Sequence, residues 1–272
     1  MDGMRRTIDI DGIETQYVEV GRGEPLVLLH GGEFGACAEL CWENNVTELS
    51  QHFRVIAPDW LGFGGTAKVH DFVDGKARRL RHMSRFCNEV GIDQGVFVGN
   101  SMGGAMLLHD AASESPLLPV RKLVSVCGGG PLETNDSVDA LFEYDGSVHG
   151  MRLLLEALFH GEYWRTDMDY LHRRYASSIA PGAWEAVAAA RFKRPTATSE
   201  PKPKGNPSYD SIAVPVLIVE GGEDKLKPKG WAEELAEEIP GAASAVIEGV
   251  GHCPQIEEPD GFHQLLLSFT KN

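Results

Sequence analysis

No stretch of the 272 residues approaches about 18 consecutive apolar residues, so no membrane-crossing helix is expected. The opening MDGMRRTIDIDG lacks the apolar middle of a secretion signal, and none is expected. Cysteines are few and odd in number: Cys37, Cys41, Cys87, Cys127 and Cys253, with no C-x2-C pair among them. Such a set makes no disulfide framework and speaks against zinc, so a reducing cytoplasm is the expected compartment. Positive charge is also short. Twenty-five Lys and Arg stand against 40 Asp and Glu, a net charge of -15. Nucleic acid and anionic membrane surfaces are therefore poor partners. A small anionic substrate stays open, because the local field of a site can oppose the overall sign.

What is present is enough apolar residue, 42% of the chain, for one large α/β domain with room for an insertion. The most informative stretch is VFVGNSMGGAM, Val96 to Met106. An apolar run ends at Gly99, Asn100 and Ser101 follow, and a helix-like run begins after Gly103-Gly104. This is G-x-S-x-G between a predicted strand and a predicted helix. A sharp strand-to-helix turn strains the central residue and crowds its neighbours, where glycine has no Cβ to clash. The serine hydroxyl then stands at a helix start, where free N–H groups favour developing negative charge. The plainer alternative is a small-residue turn whose serine only caps the helix.

The rest of the chain repeats a strand–helix rhythm. Thr7–Tyr17 alternates around Asp11-Gly12, a hairpin signal. Residues 25–29 (PLVLL), 53–57 (FRVIA), 95–99, 123–127 (LVSVC), 214–219 (VPVLIV) and 245–247 read as strands of a mostly parallel sheet. Helices are expected over 44–52, 76–91, 104–112, 231–238 and 262–269, while 33–43 reads as a loop. Between the fourth and fifth of those strand runs the pattern turns purely helical (151–160, 168–177, 183–192), followed by a Pro-rich connector at 195–207. Residues 1–130 and 209–272 therefore read as one core domain, and 131–208 as an inserted helical cap.

Candidate chemistry collects after strand ends. His30-Gly31-Gly32 can offer backbone N–H groups to an anionic oxygen. Asp59, after another strand, reads as a loop-orienting residue. Asp224 and His252 each follow a strand end, with Glu223 a rival carboxylate. A serine hydroxyl needs a base and a carboxylate to orient that base. The order Ser101, Asp224, His252 is the one used when G-x-S-x-G carries the nucleophile.

End to end, the chain resembles the α/β-hydrolase superfamily, and within it the meta-cleavage product hydrolases, especially the branch acting on biaryl and carbazole-type ring-cleavage products. The residues carrying the likeness are His30-Gly31-Gly32, Trp42-x-Asn44, Gly62-Phe63-Gly64, Thr66-Ala67-Lys68, Arg78 to His82 and Gly99 to Gly104. The resemblance implies a catalytic set Ser101, Asp224 and His252, with the N–H groups of Met102 and Gly32 as oxyanion hole. It implies that Asn100, Asn44 and Gly31 contact the polar end of a 2-hydroxy-6-oxo-hexa-2,4-dienoate. A cap arginine near the substrate carboxylate would be Arg174 or Arg191. The products would be 2-hydroxypenta-2,4-dienoate and a carboxylic acid, formed after a proton shift to the keto form. Neither metal nor organic cofactor is implied, and a homodimer is. Cys253 stands where the family has tryptophan after the histidine, which alters one wall of the substrate pocket. A carboxylesterase or lactone hydrolase with the same three residues is the alternative enzyme, and a ligand receptor on the same fold the non-enzyme alternative. Related epoxide hydrolases and dehalogenases carry Asp where Ser101 stands.

Overall fold

The computed structural model describes residues 4–192 and 208–271; the Pro-rich connector lies outside them, apart from the ends of the chain. The described residues form an eight-stranded sheet: β1 (Arg5–Ile10), β2 (Ile13–Gly21), β3 (Pro25–Leu29), β4 (Arg54–Pro58), β5 (Gly95–Asn100), β6 (Val120–Val126), β7 (Val216–Gly221) and β8 (Ala243–Ile247). Their order is β1-β2-β4-β3-β5-β6-β7-β8. The hairpin β1–β2 pairs antiparallel, β2 joins β4 antiparallel, and β4 to β8 run parallel. Asp11 and Gly12 both have positive φ, 54° and 79°, as a tight hairpin turn requires.

Both faces of the sheet are covered, which is why its central strands read as unbroken apolar runs. Alternate residues point to opposite faces. Val27 and Leu29 join Phe97, Leu123 and Ile218 in one core with Met83, Phe86, Leu107 and Trp231. Leu26 and Leu28 join Val96, Val98, Val124 and Val219 in the other, with Trp42, Val46, Phe262 and Leu266. The first face is covered by α2 (Gly75–Glu89), α3 (Met102–Ala111) and α9 (Trp231–Glu237), the second by α1 (Ala38–Leu49) and α11 (Pro259–Lys271).

Helix α1 corrects the sequence reading. It starts at Ala38, inside the segment expected to be a loop. Cys37 at its N-cap supplies no side-chain bond. Instead Asp59 Oδ1, 21 positions downstream, accepts from the Ala38 N–H at 2.7 Å. The same carboxylate accepts from Gly65 N–H and Gln16 Nε2. A cap delivered from elsewhere in the chain leaves no local signature.

Between β6 and β7 lie α4 (Asp136–Phe142), α5 (Val148–Leu158), α6 (Glu162–Thr166), α7 (Met168–Ser178) and α8 (Ala183–Ala188). Helices α4 and α6 have seven and five residues, too short to show a 3.6-residue period. So is the four-residue α10 (Pro254–Glu257). A third core joins this helical layer to loops at the carboxyl ends of the strands. It packs Met151, Leu155, Leu158, Tyr170 and Leu171 against Phe34, Leu40, Leu226 and Cys253.

Candidate active site

Ser101 sits between β5 and α3 with φ 51° and ψ -115°, a backbone region that side chains rarely occupy. Its N–H donates to Val126 O at 2.8 Å, which fixes the turn to β6. The surrounding glycines are steric necessities. A Cβ on Gly99 would meet main-chain atoms of Gly103 and Gly104, and one on Gly103 would lie 2.5 Å from Leu29 O and 2.9 Å from His30 O. On Gly104 it would strike the Ser125 hydroxyl. The turn is thus locked between β3 and β6.

The three residues read from separate strand ends converge. His252 Nε2 lies 2.9 Å from Ser101 Oγ, and its Nδ1 lies 2.6 Å from Asp224 Oδ2. Asp224 Oδ1 accepts from the Leu226 N–H at 2.8 Å. Burial alone would raise the Asp224 pKa. The His252 charge and hydrogen bond, with the Leu226 N–H, outweigh it and hold the carboxyl below its usual range. Glu223 is exposed. The loops carrying Asp224 and His252 approach closely because Gly221 has no side chain; a Cβ there would collide with Gly251 O.

On the other side of Ser101, Gly32 packs against Met102. A Cβ on Gly32 would lie 2.6 Å from the Met102 sulfur. Neither the Gly32 nor the Met102 N–H donates to an acceptor among the described residues. His30 holds this loop: its Nε2 accepts from the Trp60 N–H at 3.1 Å, so Nδ1–H donates to Gly31 O at 2.7 Å. Burial lowers its pKa, keeping the ring neutral.

Ser101 and His252 open on a cavity of about 490 Å³ roofed by the helical layer, with Leu132, Leu141, Phe142, Leu158 and Val187 among its lining residues. Of the substrate candidates, Arg191 lines that cavity, and the others are placed outside its lining. Asn44 is exposed and reaches Ile256 O at 3.5 Å. Asn100 is buried, and its amide donates to Val126 O and His252 O, tying the histidine loop to the sheet. Gly31 lies beneath the Glu33 side chain. Cys253 is buried in the third core. Arg174 is buried and pairs with Glu33 at 2.6 Å. None of these five is among the residues that line the cavity.

Polar lining residues that the sequence reading did not assign to the site are Glu33, Lys227 and Cys127. Glu33 had a signal, a charge directly after the HGG turn; Cys127 had none, although its φ of 51° marks a second strained strand end. The donor atoms of Cys127, Asp224 and His252 lie within 4.8 Å of one another. This set is a poor metal cradle. His252 and Asp224 are bonded to each other, and burial, reinforced by the Asp224 carboxylate, pushes the Cys127 thiol well up.

Strand order, a strained serine after β5 and a histidine–carboxylate pair after later strands define a class, and residues 26–265 match the alpha/beta hydrolase family, to which the chain belongs. Within it, the chain belongs with the meta-cleavage product hydrolases. It is 34% identical over 98% of its length and 90% of the relative's to the 2-hydroxy-6-oxo-6-(2'-aminophenyl)hexa-2,4-dienoic acid hydrolase of Metapseudomonas resinovorans. It is 32% identical to the 2-hydroxy-6-oxo-2,4-heptadienoate hydrolase of Pseudomonas putida, over 97% and 95% of the two chains. Among solved structures, the meta-cleavage product hydrolase of Pseudomonas fluorescens superposes with a TM-score of 0.85, 28% identity and coverage of 98% and 97%. A serine hydrolase of carbazole degradation gives 0.81, 31% and 98% of both chains. No helix among the described residues is long and apolar enough to cross a membrane.

Proposed function

We propose that this hydrolase cleaves the C5–C6 bond of 2-hydroxy-6-oxo-hexa-2,4-dienoates carrying a carbon substituent at C6. The observation that carries the reading is the unbroken chain Ser101–His252–Asp224 opening on a largely apolar cavity, in a chain about one-third identical to two dienoate hydrolases. His252 takes the Ser101 proton, and Asp224 fixes the imidazole and stabilises its charged form. A proton delivered to C5 converts the dienol to its keto form, so the five-carbon fragment can depart as a stabilised carbanion. The N–H groups of Gly32 and Met102 receive the oxyanion that forms at C6. One water is consumed, and the products are 2-hydroxypenta-2,4-dienoate and a carboxylic acid. The helices α4 to α8 act as the lid that keeps bulk water from the carbanion. The cavity lies within the usual range for small-ligand sites.

The test is the loss of dienoate absorbance with a series of 6-aryl and 6-alkyl substrates, run beside p-nitrophenyl esters. Fast decay of at least one dienoate, with esters slower, is expected. Ser101→Ala should abolish turnover yet still bind the dienoate. Esters turned over rapidly with every dienoate inert would instead make the protein an esterase.

A further inference from the structure

The loop after β3 is held by two different parts of the molecule. At its start, Leu29 pairs with Gly99 across β3–β5, and His30 is fixed by the Trp60 N–H. Those holds belong to the sheet. Beyond the HGG turn they pass to the helical layer. Glu33, Phe34 and Gly35 directly follow Gly32, a proposed oxyanion donor, and each is seated among residues of that layer.

Glu33 pairs with Arg174 of α7, whose Nη2 donates to Oε1 at 2.6 Å, and both side chains are buried. The other carboxylate oxygen lies over Gly31, where an added Cβ would strike it. The carboxylate thus bridges the HGG turn and the lid. Burial opposes its charge; the Arg174 guanidinium outweighs this and holds the Glu33 pKa below its usual range. Phe34 O accepts from Arg174 Nε at 3.4 Å. The Phe34 ring centre lies 4.9 Å from that of Tyr144 and 6.2 Å from that of Trp184, with the Arg191 guanidinium 4.6 Å above it. Trp184 is itself fixed, its Nε1 donating to Tyr144 O at 3.3 Å. Gly35 has φ 76°, and a Cβ there would collide with Arg174 O. Glycine turns bend easily, so whatever seats residues 33–35 also sets where the Gly32 N–H points.

We infer that the helical layer sets the oxyanion hole: Glu33 and Phe34 are positioning residues through which Arg174 and Trp184 hold the Gly32 N–H beside Met102. A seated lid and a complete oxyanion hole are then one state, and charge stabilisation comes only with a cavity closed to water. The inference rests on the oxyanion donors of the proposed function, and not on the substrate being a dienoate.

The test uses phenylboronic acid, with benzamide as its reference. Ser101 Oγ bonds to boron while the hydroxyl proton passes to His252. Nothing leaves, and the boron, now tetrahedral and anionic, presents an oxygen to the oxyanion hole. Benzamide fills the same cavity without forming an oxyanion. The ratio of the two dissociation constants, measured by calorimetry, therefore reports the hole apart from the pocket and needs no turnover. Trp184 lies outside the cavity lining, so Trp184→Leu acts from the lid alone. It should weaken boronate relative to benzamide by about 10-fold and lower kcat for p-nitrophenyl acetate by a similar factor, with KM changed far less. Trp184→Phe, which keeps a ring against Phe34, should retain most of both. Glu33→Ala should cost about 100-fold, and Glu33→Gln, which keeps an acceptor for Arg174, less. Should Glu33→Ala fail to fold, Trp184→Leu decides. A boronate preference and kcat within twofold of the wild type in Trp184→Leu overturn the inference. Loss of both in that variant, with every dienoate inert, would overturn the proposed substrate and leave the lid's hold on the oxyanion loop standing.

Discussion

Replacing Gly103 by alanine sets two physical effects against each other. Gly103 is the second residue of α3. Helix propensity alone favours alanine over glycine by up to about 1 kcal/mol. The added Cβ, however, would sit 2.5 Å from Leu29 O and 2.9 Å from His30 O. Ordinary contact for such a pair begins near 3.4 Å, so the helix start or the end of β3 must retreat by roughly 0.9 Å. Both are rigid, since Leu29 is paired with Gly99 across β3–β5 and His30 is held by Trp60. Overpacking of this kind costs about 1–3 kcal/mol, more than propensity returns. The displaced atoms carry Met102 on one side and Gly31-Gly32 on the other, the two halves of the proposed oxyanion hole. A misplacement near 1 Å is worth about 100-fold in rate, or about 2.7 kcal/mol of barrier. Gly103→Ala should therefore lower both the thermal midpoint and kcat, the latter by about two orders of magnitude, with KM changed little. Calorimetry and steady-state kinetics on dienoate and p-nitrophenyl acetate measure both. A variant more stable than the wild type, with kcat within twofold, would refute the steric account.

Asp224→Asn should cut kcat by about 10⁴, because an amide can hold the ring in the wrong tautomer and cannot stabilise its charge; circular dichroism should show the fold intact. A loss below tenfold would move the orienting role elsewhere. His82 is buried against the Thr15 hydroxyl at 2.9 Å, and burial with the nearby Arg78 charge pushes its pKa down to about 4. The unfolded chain, with a histidine near 6.5, binds the extra proton first, so the His82 contribution to stability is complete above about pH 6.5 and drains away as pH falls toward 4. Urea midpoints of wild type and His82→Gln should accordingly differ most at pH 7 and converge or cross by pH 4. A difference independent of pH would contradict it.

The sheet and the converging residues were legible because each obeys local rules. Leu26 to Leu29 are buried on both faces and so read as a continuous run, and the Asp11-Gly12 turn and G-N-S-M-G-G elbow carry their own steric logic. Legibility failed where structure depends on distant partners. The start of α1 depends on Asp59, a residue after a different strand. The cavity lining failed for the same reason. Asn44 and Asn45 are indistinguishable in sequence, yet one is exposed and the other is buried, donating to Gln255 O and within 3.0 Å of His263 Nε2. Arg174 could be recognised as an arginine suited to an anion, but not that Glu33, 141 residues earlier, already occupies it.

The His252 N–H donates to Leu158 O at the end of α5, at 2.7 Å. One carboxylate, Glu257, grips Gly251 with one oxygen and the His160 and Gly161 N–H groups with the other. The roof and the base thus share a hinge pin. Lifting α5 to admit a ligand would drag the imidazole off the serine and stall the machine. The exposed side chains Leu132, Phe142 and Arg191 bound the opposite flank of the cavity, which that pin does not tie to the imidazole.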